Sequence, residues 1–316
     1  MQARSKDRLF TLLFCLIPTT WAGSFIAAKY VVAEIDPLSS TFWRFMLASL
    51  VMFPLLAVWQ GRSHPRLGDM AWWRHIGLVV LFSGIGYHVL FFMGIERTTP
   101  TNAAVIIALN PFFTTLLEVL VFRRARPVRF YIGFALSFAG ATWVNLSRGG
   151  RFDLANLGMG ELLCLLAALC WSVFTIGAKL TKKPEWSSLW INAYNCLLTA
   201  GLLFGGLVLF RGLPVWRMSP TGWNGLWFMA VFPTAIGYTI FYIGVQKKGP
   251  AWAVNFIYLV PSCTVLLDYL FFHAGLTMAV AGGTAVVIAG LFIAHSRRYG
   301  REMPDAAGNR KNPAQR

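Results

Sequence analysis

Residues 94–122 read GIERTTPTNAAVIIALNPFFTTLLEVLVF, and residues 244–272 read GVQKKGPAWAVNFIYLVPSCTVLLDYLFF. Laid side by side without a gap, they pair Pro100 with Pro250, Ala103 with Ala253, Leu109 with Leu259 and Pro111 with Pro261. Thr114 meets Thr264, Leu116 and Leu117 meet Leu266 and Leu267, and Glu118 meets Asp268. The same offset sets Trp21–Lys29 (WAGSFIAAK) on Trp171–Lys179 (WSVFTIGAK), Gly133 on Gly283 and Gly140 on Gly290. A chain that repeats itself at one fixed offset is two copies of one structural unit. Both copies are apolar, and repeated apolar halves in a bilayer imply a pathway for a solute between them.

Composition supports the membrane reading. Hydrophobic residues make up 57% of the 316, and charged residues only 13%, where soluble domains carry about 25%. Too little polar sequence remains to cover a core with a wet surface. Ten apolar runs are long enough for helices of about 20 residues, near 9–30, 38–59, 74–95, 101–122, 128–147, 157–180, 188–210, 222–245, 251–272 and 278–296. The first run follows a basic start as a secretory leader would, but Trp21 and its neighbours recur around Trp171, which makes the segment part of the fold. The expectation is an all-α integral membrane protein: ten spans in two five-helix repeats, residues 1–150 and 151–298, with a disordered polar tail at 299–316.

Charge sets the expected orientation. The net charge of +16 is spread over short connections and the tail, with no continuous basic face for nucleic acid. With the N-terminus in the cytoplasm, 20 of the 28 basic residues fall on the inner side and five on the outer side. That bias places both termini inside. Five spans per half is an odd number, so the second half must be inverted, the arrangement from which alternating access follows when the halves exchange conformations. With both halves in one chain, a monomer suffices. The five cysteines (Cys15, Cys164, Cys170, Cys196 and Cys263) all lie in apolar runs with no CxxC pair, so they read as buried apolar side chains. No metal or cofactor is expected.

Trp21-x-x-x-Phe25-x-x-x-Lys29, Arg44, Ile85-Gly86-Tyr87-His88, Asn110-Pro111 and Gly133…Gly140, in that order and partly duplicated, resemble the EamA type of the drug/metabolite transporter superfamily over about residues 9–296. Where that family places a glutamate beyond span 4, this chain has Arg124 and Ala274, and both halves instead carry an acid closer to the proline, Glu118 and Asp268. The resemblance implies a secondary carrier that exports amino acids or related small metabolites across a bacterial inner membrane.

Candidate residues follow from depth. Trp21, Tyr87, His88, Trp171, Tyr238 and Tyr242 lie toward the centres of their spans, and with Asn110 they are the candidate solute contacts. His88 titrates in the physiological range when unperturbed and is the candidate for proton coupling. Pro111 and Pro261 are expected to kink spans 4 and 9, freeing the carbonyls of Ile107 and Ile257. Lys29, Arg44, Glu118, Lys179 and Asp268 are intramembrane charges, costly unless paired or functional. Depth matches Lys29 with Asp268 at the outer face and Lys179 with Glu118 at the inner face, as two latches closed in turn. The bland alternative is snorkelling of both lysines to headgroups. Arg44 is read as a carboxylate contact or as an anchor to carbonyls or headgroups. A multidrug cation pump wants a carboxylate at mid-membrane, which is lacking here. A membrane-embedded enzyme wants clustered His/Asp/Glu, also lacking.

Overall fold

The structure is a computed structural model that describes residues 10–12, 14–59, 67–98, 103, 106–123, 126–147, 158–272 and 277–294. The side chains at 59, 145, 265, 268, 271 and 272 also lie outside the description, as do the expected tail and the linker at 148–157. Among the described residues there is no strand. Backbone groups without water to meet them must bond within their own segment, which selects helices for such apolar sequence.

The helices are α1 Ile17–Val32, α2 Pro37–Trp59, α3 Met70–Arg97, α4 Asn110–Phe122, α5 Val128–Ser147, α6 Met159–Thr181, α7 Ser188–Phe210 and α8 Pro220–Lys248. A broken helix α9 follows in three pieces, Pro250–Asn255, Phe256–Leu259 and Val260–Phe272, and then α10 Met278–Ala294. Among the described residues, six helices are long and apolar enough to cross a membrane: α1 with the turn before it, α2, α3, α6, α7 and α8. At the other four expected spans, the described residues form shorter helices. The chain is a multi-pass membrane protein by this composition.

Helix starts carry recognisable caps. Asp69 accepts the Ala71 N–H at 2.9 Å, Ser187 the Leu189 N–H at 3.2 Å and Ser219 the Gly222 N–H at 3.2 Å. Proline opens α2, α8 and α9, where its missing N–H costs nothing. Gly249, at φ +99°, makes the sharp turn from α8 into α9 that side-chained residues avoid. Pro111 and Pro261 stand in the first turns of α4 and of the last piece of α9, each just after a break, rather than inside a continuous helix.

One regularity lies beyond helical periodicity. The middles of α3 and α8 are wound as π-helices, Val80–Tyr87 and Ala230–Gly237, at the same repeat offset. The wider turn slackens backbone bonding, and side chains five residues on complete it. His88 Nδ1 lies 2.7 Å from the Ser83 carbonyl, and the Thr234 hydroxyl donates to the Met229 carbonyl at 2.8 Å. In α8 the cause is visible in sequence: Pro233 has no N–H to give. Such windings concentrate at functional sites.

Packing exchanges elements between halves. Helix α6 lies against α3 and α4 of the first half, and α1 lies against α8 and α9 of the second. Helices α2 and α7 pack together, and α5 packs along α10. That last seam closes through glycines: a Cβ on Gly133 would come 2.5 Å from the Gly290 carbonyl oxygen, and one on Gly140 would come 2.8 Å from that of Gly283. Small faces permit this approach without lipid between the helices.

Candidate functional site

The exchanged packing brings repeat mates face to face. Trp21 on α1 and Trp171 on α6 meet edge to face, centroids 5.7 Å apart. Around them stand Tyr87, 4.8 Å from Trp171, Tyr238, 5.2 Å from Trp171 and 6.1 Å from Trp21, and Phe241, 5.3 Å and 5.4 Å from the same two rings. Aromatic pairs at such separations hold about 0.5–1.5 kcal/mol each beyond simple contact. The indole N–H groups of both tryptophans are buried and have no hydrogen-bond partner among the described residues.

A polar chain crosses beside this cluster. His88 and Tyr238 are also repeat mates, one residue past each π-segment, and His88 Nε2 lies 2.7 Å from the Tyr238 hydroxyl. Arg44 NH2 donates to the same hydroxyl at 3.3 Å, while its Nε donates to Thr234 Oγ1 at 2.9 Å and its NH1 to Ser24 Oγ at 3.3 Å. With the imidazole neutral, the partners set the direction of each bond. A guanidinium only donates and a carbonyl only accepts. Tyr238 therefore accepts from Arg44 and gives its proton to Nε2, and Nδ1–H donates to Ser83. Neutral His88 protonated on Nδ1 satisfies the whole chain. Both Arg44 and His88 are buried, the latter completely.

Six candidates thus come together: Trp21, Arg44, Tyr87, His88, Trp171 and Tyr238. Tyr242, one turn further along α8, instead bonds His75 Nε2, whose Nδ1 lies 2.6 Å from Thr181 Oγ1. Thr181 itself donates to the Gly177 carbonyl at 2.8 Å, so this histidine too carries its proton on Nδ1. His75 is completely buried. Depth in the sequence does not mark His75, which sits at the edge of the apolar run 74–95. Asn110 is placed apart, bonded through Nδ2 to the Ala168 carbonyl at 2.9 Å and to Ser172 Oγ at 3.3 Å, a tie between α4 and α6.

The charged candidates divide. Glu118 pairs with Arg126 and accepts the Ala251 N–H at 3.2 Å, which links α4 to the first turn of α9. Lys179 Nζ donates to the Gln246 carbonyl at 2.6 Å, and Gln246 Nε2 donates back to the Ala178 carbonyl at 3.0 Å. In this structure Glu118 holds Arg126 and Lys179 holds the Gln246 carbonyl, with the Lys179 charge still acting on the Glu118 carboxylate. Lys29 is exposed in the last turn of α1; the Asp268 side chain lies outside the described residues. Among those residues, no group of three His, Cys, Asp or Glu is arranged to hold a metal, and the five cysteines are free.

At the end of α1 the carboxylate of Glu34 accepts the Ser219 backbone N–H at 2.6 Å and its hydroxyl at 2.7 Å. These bonds hold its carboxyl below the ordinary carboxylate range, backbone bond first. A lowered value keeps the tie made above that range and releases it only as pH falls through the lowered value. Trp43 Nε1 also donates to the Val215 carbonyl at 2.8 Å, and its ring lies 5.1 Å from that of Trp223. The connection before α8 is thus pinned to α1 and α2. At the other end, burial lowers the amine of Lys182, just past α6.

The sequence profile of the EamA-like transporter family matches residues 9–146 and 158–295, once over each repeat. An uncharacterized transporter of Archaeoglobus fulgidus is 28% identical over 301 residues, 93% of this chain and 99% of that one. The uncharacterized transporter YyaM of Bacillus subtilis is 28% identical over 253 residues, 78% of this chain and 81% of that one. A solved protein crystal structure superposes with a TM-score of 0.74 at 20% identity, covering 94% of this chain and 99% of that one. This last likeness is one of fold.

Proposed function

The chain belongs to the EamA-like transporter family, and we propose that it is a secondary transporter exporting small metabolites, amino acids or related amphiphilic compounds, by alternating access. The carrying observation is the meeting of repeat mates at one place: Trp21 with Trp171, and His88 with Tyr238. If the halves are inverted copies, whatever opens this centre toward one face has a counterpart that opens it toward the other. The exchanged packing of α1 with α8 and α9, and of α6 with α3 and α4, supports that relation. The bias of basic residues favours both termini in the cytoplasm, in a bacterial inner membrane.

In this mechanism the π-wound middles of α3 and α8 are the bending points. There the helices depart from regular α-winding, and in α8 Pro233 has no N–H to bond, so the proposed tilting is placed at these segments. The tie of Glu118 to Arg126 and to the Ala251 N–H closes one end, and parting α4 from α9 breaks it. Lys29 with Asp268 is the proposed latch at the opposite end. One polypeptide completes the pathway. His88, neutral in the chain described, is the proposed proton site: taking a proton on Nε2 reverses its bond to Tyr238 and sets a second cation beside Arg44.

Purified protein in liposomes loaded with one unlabelled amino acid and diluted into a trace of the labelled form tests this directly. Transient accumulation above protein-free liposomes is expected for at least one of the common amino acids. No accumulation for any of them, with movement of a lipophilic cation such as tetraphenylphosphonium, would move the chain to multidrug efflux.

A further inference from the structure

The centre has more hydrogen-bond donors than acceptors. Arg44 carries five N–H groups. One makes a short bond to Thr234, two reach hydroxyls at 3.3 Å, one faces the Met229 sulfur at 3.9 Å, and the fifth has no partner among the described residues. Thr234 and Tyr238 have already given their own protons away, to the Met229 carbonyl and to His88. Among the described residues no carboxylate lies within 4.0 Å of this guanidinium. Arg44 is only 3% exposed. A charge so buried, met by neutral oxygens alone, keeps most of its field.

A second observation is independent of Arg44. The indole N–H groups of Trp21 and Trp171 are buried without an acceptor among the described residues, although buried polar groups are otherwise paired almost without exception. Both rings lean on Tyr238, whose hydroxyl Arg44 holds. Unused donors from both halves and an unneutralised cation therefore surround one side chain.

We infer that the centre recognises its solute by a carboxylate, received beside Tyr238 by Arg44 and by the indole N–H groups of Trp21 and Trp171. The inference deepens the transport reading and rests on it for the solute's route. A carboxylate supplies the charge Arg44 lacks and the acceptors the indoles lack, and the surrounding rings take the apolar remainder. An amine of the same shape supplies neither and meets a like charge. Arg44 is thereby the residue that sets the charge class of the cargo.

The test is ligand-induced thermal stabilisation of the full chain in detergent, with three probes of one shape: 3-phenylpropionate, phenylalanine and 2-phenylethylamine. The two carboxylates are expected to raise the apparent Tm and the amine to leave it unchanged. Trp21→Phe and Trp171→Phe keep the ring and lose the N–H. Each is expected to weaken the carboxylates by about tenfold, the loss of one charge-assisted bond. Arg44→Gln is expected to abolish the carboxylate response without lowering the unliganded Tm, since it removes a buried unneutralised charge. If Arg44→Gln yields no folded protein, Arg44→Lys serves: it keeps the charge and should still prefer carboxylate to amine, more weakly. Equal response to amine and carboxylate in the wild type, no response to either carboxylate, or a full response in Arg44→Gln would each overturn the inference. Liposome transport is a separate readout. Counterflow of 2-phenylethylamine as fast as that of phenylalanine would sink the anion site and leave the transport reading standing.

Discussion

Gly290→Leu is expected to yield no folded, monodisperse protein. At this point α5 and α10 touch backbone to backbone: a Cβ on Gly290 would lie 2.6 Å from the Gly133 carbonyl oxygen and 2.6 Å from the Ser137 nitrogen. Neither atom is the end of a movable side chain, so the helices must separate along the whole seam. Overpacking by a methylene or two costs about 1–3 kcal/mol where side chains can yield. Four carbons driven against backbone exceed that and open the seam to lipid. Gly290→Ala is expected to survive with an apparent Tm several degrees lower. Gly282→Ala, eight residues earlier on the same helix, has nothing within 4 Å of its added Cβ and should match the wild type. Size-exclusion profiles and melting of the three variants read this out. A stable Gly290→Leu monomer would mean that α5 and α10 do not meet as described.

The second large effect is on function. Trp171→Ala removes the ring shared by Trp21, Tyr87, Phe174, Tyr238 and Phe241, whose centroids all lie between 4.8 Å and 5.7 Å from it. Emptying so large a buried site costs about 3–5 kcal/mol of stability. A solute seated on the ring loses about 2 kcal/mol of binding besides, some thirtyfold in affinity. Trp72→Ala separates the two effects. Trp72 is also fully buried, against Trp186 and Tyr194, four turns before His88 on α3. Its loss should cost similar stability but leave uptake per folded molecule near the wild-type value, while Trp171→Ala abolishes it. If both variants transport equally once corrected for folded protein, the central ring is packing and nothing more.

Much of this was legible in the chain because duplication carries spatial information. Two tryptophans at matching positions of a repeat are candidates to meet where the copies pack together, and Trp21 and Trp171 meet edge to face. The same logic brings His88 to Tyr238. The π-windings left only faint marks: Gly84 and Gly86 in one copy, Pro233 and Gly237 in the other, breakers in the middle of apolar runs that hydropathy alone reads as uniform helix. His75 was missed because hydropathy puts it at a span's edge, whereas its burial is decided by Trp186, in the connection before α7, and Tyr242 on α8. Depth alone names no contacts: in this structure Glu118 holds Arg126, and Lys179 holds a backbone carbonyl. Depth fixes one coordinate, and contact needs three.

The most direct test is a crystal structure of the chain grown with 3-phenylpropionate. The expected density lies between Trp21, Trp171 and Tyr238, with its carboxylate turned toward Arg44 and the two indole nitrogens. Density confined to the opposite ends of the helices, with the central rings still closed on one another, would contradict a pathway through the meeting point of the two halves.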